Sequence, residues 1–333
     1  MKVISYDPDP RGLLSAREAV AGYYLGRKIP TDISSILLTS GTSEAYSLLF
    51  RLLCNPGEAV AVPRPSYPLF EYLAEINDVR LQYYDLRYDD GWELDSGSVR
   101  AAATGAKAII IVSPHNPTGM MLSESGVRFI SEEASRAGAA VIVDEVFIDY
   151  PLGDPPAHAT IDSPNRGILF FTLNGISKSI ALPQMKLGWI VIHGPDSEVT
   201  EASARLEILA DTYLSVGTPV QLALPHLFRS CTAVRAEIRS RINANFNTLR
   251  QLSKGCSLSV LDSSGGWSAV IRAPKTTSDE QWALDLLTKA GVLVQPGYFY
   301  DFQDDAHLVV SLLINEVSFG KAVQKIIEAA GEH

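Results

Sequence analysis

Cysteine is scarce, and what there is does not pair. Cys54, Cys231 and Cys256 are odd in number, lie far apart and form no Cys-x-x-Cys motif, so neither a disulfide framework nor a zinc site is expected. Free thiols fit a reducing, cytoplasmic compartment. Long hydrophobic runs are also absent. None reaches the roughly 20 residues that a membrane helix needs, and the opening MKVISYDPDPRG has no apolar stretch of the secretory kind. Positive charge is in deficit, with 28 Lys and Arg against 38 Asp and Glu, a net charge of −10. A general nucleic-acid binder wants a basic face, so the balance argues against that class and leaves only local basic patches open. There is no internal repeat and no low-complexity tract.

What is there is ordinary globular composition. Hydrophobic residues make up 46% and charged residues 20% of 333, enough for one large domain and a smaller one. EAVAVPRPSY reads as a strand and turn, and AKAIIIVSPHNPTG as a buried strand ending in a Pro/Gly turn. SGVRFISEEASRAG is amphipathic and closed by Gly138, and AAVIVDEVF and GILFFTLNG are further buried strands. Near-continuous β-branched runs alternating with helices predict an α/β fold, a mostly parallel sheet sandwiched by helices. After about residue 220 the character changes. PVQLALPHLF through RQLSK reads as one long helix, followed by short strands in GGWSAVIRAP, GVLVQPGYFYDF and HLVVSLL and a last helix, SFGKAVQKIIEAA. The expected division is a large α/β domain over 1–220 and a small α+β domain over 221–333.

Open α/β sheets bind ligands beyond the carboxyl ends of their strands, and four polar devices stand there. Gly41-Thr42-Ser43 leads into an apolar-periodic helix; its free N–H groups suit a phosphate, or Thr42 or Ser43 simply caps the helix. Asn116-Pro117-Thr118-Gly119 presents an amide at a tight turn, or is only a turn. Asp144 follows three aliphatics, where a carboxylate needs a cationic or hydrogen-bonding partner; a helix cap or a salt bridge is the plainer reading. Lys178, with Ser177 before it and Lys186 eight residues on, sits between two apolar runs. A desolvated lysine is a nucleophilic amine; otherwise it snorkels to the surface. Together, in this order, the four meet the needs of one cofactor, pyridoxal 5′-phosphate. Lys178 forms the imine (Schiff base) with its aldehyde, Asp144 keeps the pyridine nitrogen protonated, and Asn116 donates to the phenolate oxygen. No metal is called for.

The chain resembles the class I/II aminotransferases, the fold-type I enzymes that use pyridoxal phosphate. YDPDPRGLLSAREAVAGYY, TSGTSEA, PSYP, NPTG, DEVF and GISKSIALPQMKLG carry the resemblance, which covers nearly the whole chain. It implies that Tyr67 stacks on the ring and that Gly41, Thr42, Ser43, Ser177 and Lys186 hold the phosphate. It also implies a homodimer, with Tyr6 reaching the partner's phosphate. The departures are specific. Lys186 stands where the family has arginine, and Phe147 where it often has a tyrosine, so Asn116 is left to serve the ring oxygen alone. Val309 stands where an arginine usually clamps the substrate carboxylate. The chain also starts late, so the family's N-terminal arm is expected to be missing.

The reading is an aminotransferase that moves an amino group between an amino acid and a 2-keto acid. Lys178 and Asp144 are its catalytic residues. A lyase or decarboxylase on the same fold is the alternative, as is a degenerate pyridoxal-phosphate binder without activity. Trp267, Tyr298 and Tyr300 line a pocket or belong to the core. Arg64 is a substitute carboxylate partner or a solvated turn residue, and His115 supports Asn116.

Overall fold

A computed structural model of the chain describes residues 7–153 and 167–332. The large sheet has eight strands: β1 (Ile36–Thr39), β2 (Ala59–Arg64), β3 (Arg80–Tyr88), β4 (Trp92–Leu94), β5 (Ala106–Val112), β6 (Ala140–Asp144), β7 (Phe170–Gly175) and β8 (Gly188–His193). They lie in the order β1-β8-β7-β6-β5-β2-β3-β4. The five from β7 to β3 run parallel. β8 is antiparallel to both β7 and β1, and β4 closes the far edge antiparallel to β3.

Helices α1 (Leu14–Leu25), α2 (Thr42–Leu53), α3 (Leu69–Ile76), α4 (Ser96–Ala103), α5 (Glu124–Ala137), α6 (Ile176–Ser179) and α7 (Asp196–Asp211) connect and cover these strands. The strands read as unbroken aliphatic runs because both faces are buried. Side chains alternate along them. Ile110 and Ile142 pack with Leu49 and Phe50 of α2 and Leu206 of α7, while Ile109, Ile111, Val141 and Val143 pack with Val127 and Ile130 of α5. At the ends of α5, the Ser123 hydroxyl accepts from the Gly126 N–H and Gly138 takes the left-handed conformation, the capping pattern expected of those residues.

The segment expected as one long helix is two, α8 (Thr218–Ser230) and α9 (Thr232–Leu252), broken at Cys231. Their apolar faces serve different cores. Val220 and Leu224 pack beside Trp189 and α1, whereas Ile242, Phe246 and Leu249 pack on the second sheet. The boundary expected at 220 thus falls inside α8, on the large-sheet side. The second sheet, in the order β11-β12-β10-β9, is antiparallel: β9 (Ser259–Val260), β10 (Ser268–Arg272), β11 (Gln295–Pro296) and β12 (His307–Ser311). It packs with α10 (Asp279–Asp285) and α11 (Glu316–Glu332). The run GVLVQPGYFYDF gives a strand of only two residues before a 3-10 turn at Gly297–Tyr300. Pro296 has no N–H to continue the ladder.

Candidate functional site

Strands β5, β6 and β7 deliver their last residues, and the turn after β1 its Gly41-Thr42-Ser43, to one cavity of about 350 Å³. Gly41, Thr42, Ser43, Tyr67, Asn116, Asp144, Ser177, Lys178 and Lys186 all line it. Tyr6 lies outside the described residues.

One end of the cavity is electropositive. Gly41 is the N-cap of α2, at φ 153°, and no side chain caps that helix; neither Thr42 nor Ser43 bonds back to it. The first N–H groups of α2 are therefore free to face an anion. A Cβ built on Gly41 would stand 3.9 Å from Lys186 Nζ, so the ammonium and the helix terminus share one small volume. Lys186 adopts φ 52°, ψ 62°, a strained conformation for a residue with a side chain.

The same cavity holds a buried carboxylate. Asp144 ends β6 and is 7% exposed. Its Oδ2 accepts from the Tyr46 hydroxyl at 3.1 Å and its Oδ1 from the Val146 N–H at 3.0 Å. Burial pushes the carboxyl up to about 6, against those two bonds and the charge of Lys178. Both donors are neutral, so the site leaves room for a cationic partner. Tyr46 was not among the sequence candidates because a tyrosine in an amphipathic helix reads as core. Its position four residues after Thr42 puts it on the helix face that carries the N-terminal turn, and that spacing is the available signal.

Lys178 lines the same cavity, on the short α6 that follows β7, near enough to Asp144 for the two charges to act on each other. Burial lowers its amine from the ordinary lysine value, and the charge of Asp144 pulls it back up. Its Nζ stands 5.3 Å from the Trp267 ring centre and 5.8 Å from that of Phe147. The Tyr150 hydroxyl donates to the Lys178 carbonyl at 2.7 Å. The lysine is thus held by its backbone and bedded on rings rather than snorkelling to the surface.

The Asn116 turn is pinned from beneath. Thr118 Oγ1 accepts from the Met120 N–H at 3.2 Å and lies 2.9 Å from His115 Nδ1. Burial drives His115 down to about 3, so its ring is neutral. His115 supports the turn. Gly119, at φ 70°, passes so close to the second sheet's lead-in loop that an added Cβ would stand 2.6 Å from the Gly265 carbonyl oxygen.

The remaining sequence candidates separate. Val309 is buried in an apolar cluster with Leu261, Val270 and Tyr300. Arg64 is not the solvated turn residue expected of it: its Nε and Nη2 both donate to Asp85 Oδ1, at 2.9 and 2.8 Å. Tyr300 is buried at 5% exposure, and Tyr298 is half exposed. Trp267 serves as the floor beneath Lys178 Nζ.

The family described as aminotransferase class I and II matches residues 5–326. The chain is 31% identical over 226 residues to nicotianamine aminotransferase 1 of Oryza sativa subsp. japonica, an alignment covering 66% of this chain and 45% of that protein. It is 27% identical over 331 residues to the glutamate-pyruvate aminotransferase AlaA of Haemophilus influenzae, covering 96% of this chain and 81% of that one. The chain thus spans less than half of the rice relative and most of the bacterial one. Among solved structures, an alanine aminotransferase of Pyrococcus furiosus superposes with a TM-score of 0.90 at 22% identity, over 98% of this chain and 84% of that one. The fold is therefore the fold-type I arrangement that these proteins share.

Proposed function

The chain belongs to the class I and II aminotransferases, and on that premise we propose that it is a pyridoxal-phosphate-dependent aminotransferase moving an amino group between an amino acid and a 2-keto acid. The carrying observation is convergence: an anion cradle, a buried carboxylate with neutral donors and a desolvated amine line one cavity. That donor set fits the cofactor, which asks for a phosphate site at one end, an acceptor for a protonated ring nitrogen at the other and a primary amine between. When bound, pyridoxal phosphate supplies an aldehyde that condenses with primary amines and a pyridinium ring that withdraws electrons from the substrate carbon.

The chain's own residues do the rest. The N–H groups at the start of α2, with Thr42, Ser43, Ser177 and Lys186, would hold the phosphate. Tyr67 would present its ring face, and Asn116 would donate to the ring oxygen. Asp144 would accept from the ring N–H, and that cation would favour its ionised form. Lys178 Nζ, once neutral, would take a proton from the substrate Cα as general base and pass it on as general acid to the carbon that had carried the aldehyde. Its lowered basicity keeps more of the amine unprotonated at neutral pH than an exposed lysine would show.

The resemblance supports a homodimer, which light scattering tests. Cys54, Cys231 and Cys256 are free, in keeping with a cytoplasmic location. No helix among the described residues is long and apolar enough to cross a membrane.

The test is the visible absorption of the full chain loaded with pyridoxal phosphate, read before and after an amino-acid pool is added. A coloured complex that bleaches while 2-keto acids appear is the expected result. A complex that leaves every amino acid unchanged, or that releases ammonia in step with keto acid, overturns it.

A further inference from the structure

A second cavity, of about 420 Å³, adjoins the first, and Ser66, Tyr67 and Phe70 line both. Besides Phe70, its walls carry six aromatic rings, Tyr67, Tyr72, Tyr83, Tyr298, Phe299 and Tyr300, of which Tyr298 and Phe299 meet edge to face with centres 4.8 Å apart. Five of the six are more than a third exposed, Tyr300 alone being buried. These walls are fixed in place. The Tyr298 N–H donates to Asp279 Oδ2 at 2.7 Å, and the Ser66 N–H donates to the Tyr300 carbonyl at 2.7 Å, tying the two sides together. The Ser66 hydroxyl, buried where the cavities meet, has no hydrogen-bond partner among the described residues.

The charge around these rings has one sign in excess. Glu71 and Asp301 line the cavity, and Asp85 stands behind it. The one cation facing them among the described residues is Arg64, and it is committed. Both of its bonds go to Asp85 Oδ1, its guanidinium lies 5.6 Å from the Tyr83 ring centre, and Asp301 Oδ2 is 4.0 Å from its Nε. Asp85 and Asp301 thus share one guanidinium, and Glu71, which accepts from the Tyr83 hydroxyl at 3.0 Å, adds a third carboxylate with no cation of its own among the described residues. An aromatic enclosure attracts cations through the ring faces, and the surplus carboxylates add to that attraction. An anionic side chain meets repulsion and finds no free donor of opposite charge.

We propose that this second cavity is the side-chain subsite of the amino donor and that it takes a side chain ending in a cationic head, an ammonium or a guanidinium. The inference rests on the aminotransferase reading for its route to the reacting amine, but the cavity's preference for cations stands on its own walls. Burial and the charges of Glu71 and Asp85 hold Asp301 above the usual carboxylate range, with Arg64 and Gln303 opposing, which is the state of a carboxylate short of cations.

The test has two arms. In the first, the loaded full chain is given lysine, norleucine, which has the same four carbons without the ammonium, and the anionic 2-aminoadipate. Lysine is expected to exceed norleucine at least tenfold in kcat/KM, with 2-aminoadipate last. Glu71→Gln and Asp301→Asn should each cut the lysine-to-norleucine ratio about tenfold. In the second, calorimetry at low salt compares choline with its uncharged isostere 3,3-dimethylbutan-1-ol on the same protein. Choline is expected to bind at least tenfold tighter, and both substitutions should erase the difference. Equal binding of the two, or a lysine-to-norleucine ratio untouched by both substitutions, overturns the subsite. If no donor turns over while choline keeps its preference, the aminotransferase reading fails and the cation subsite stands.

Discussion

Replacing Asp144 by Asn should stabilise the cofactor-free protein, and the structure sets the size of the effect. In the folded chain burial raises this carboxyl from 3.8 to about 6. A carboxyl raised on folding binds its proton more tightly in the folded state, so between those values the folded state carries more protons than the unfolded one. Stability therefore falls as pH rises through this window. The shift is about 2 pH units, and at 1.36 kcal/mol per unit the ionised carboxylate costs roughly 3 kcal/mol at neutral pH. The amide introduced by Asp144→Asn is neutral throughout. Its single side-chain oxygen replaces two acceptors, so it gives back about 1 kcal/mol through the weaker bond to Tyr46 or Val146. The net gain near pH 8 is roughly 2 kcal/mol, a rise in Tm of about 3 °C for a chain of this length. Below pH 4 the gain should vanish or reverse. Melting curves of both proteins without cofactor, taken from pH 4 to pH 8, measure this directly. Parallel curves across that range would refute the reasoning, because they would mean that Asp144 titrates alike in both states. Cofactor should invert the order, stabilising the wild type more than the variant, since only the carboxylate meets the ring nitrogen with a full charge.

Other substitutions probe the rest of the site. Tyr46→Phe removes a hydrogen bond to a charged acceptor, worth about 1.5 kcal/mol, so the Kd for pyridoxal phosphate should rise roughly tenfold in an equilibrium titration; an unchanged Kd would detach Tyr46 from the site. Lys186→Gln should weaken that Kd by tenfold or more, with part of its salt dependence lost, whereas Lys186→Arg should hold it, because either cation reaches the phosphate. Gly119→Ala forces a Cβ against the Gly265 carbonyl at a positive φ and should lower stability by about 2 kcal/mol or more, read as a drop in the urea midpoint.

The candidate site was legible because Asp144 and Lys178 bring charge to the ends of otherwise aliphatic strands. Asp144 after Ala140–Val143, and Lys178 after the FFTLNG strand, stand out against their neighbours, and the parallel topology carries both strand ends to one edge. What stayed hidden depends on register and on packing between distant segments. Arg64 and Asp85 are register partners across β2 and β3, a pairing that no local pattern announces. Tyr46 looks like its apolar neighbours until the fold sets its hydroxyl against Asp144. The break at Cys231 is invisible to periodicity because α8 and α9 are each amphipathic, and only their different cores separate them. The aromatic cavity is the same kind of case: its rings come from 67–83 and from 298–300, and they share a wall only after the second sheet docks.

The central claim is that Lys178 Nζ is the amine that carries the cofactor. Borohydride treatment of the loaded chain, followed by peptide mass spectrometry, tests it most directly. The account predicts a phosphopyridoxyl group fixed on the peptide that contains Lys178, and none in Lys178→Ala. The same group found on Lys186, or on no lysine of the cavity, would contradict it.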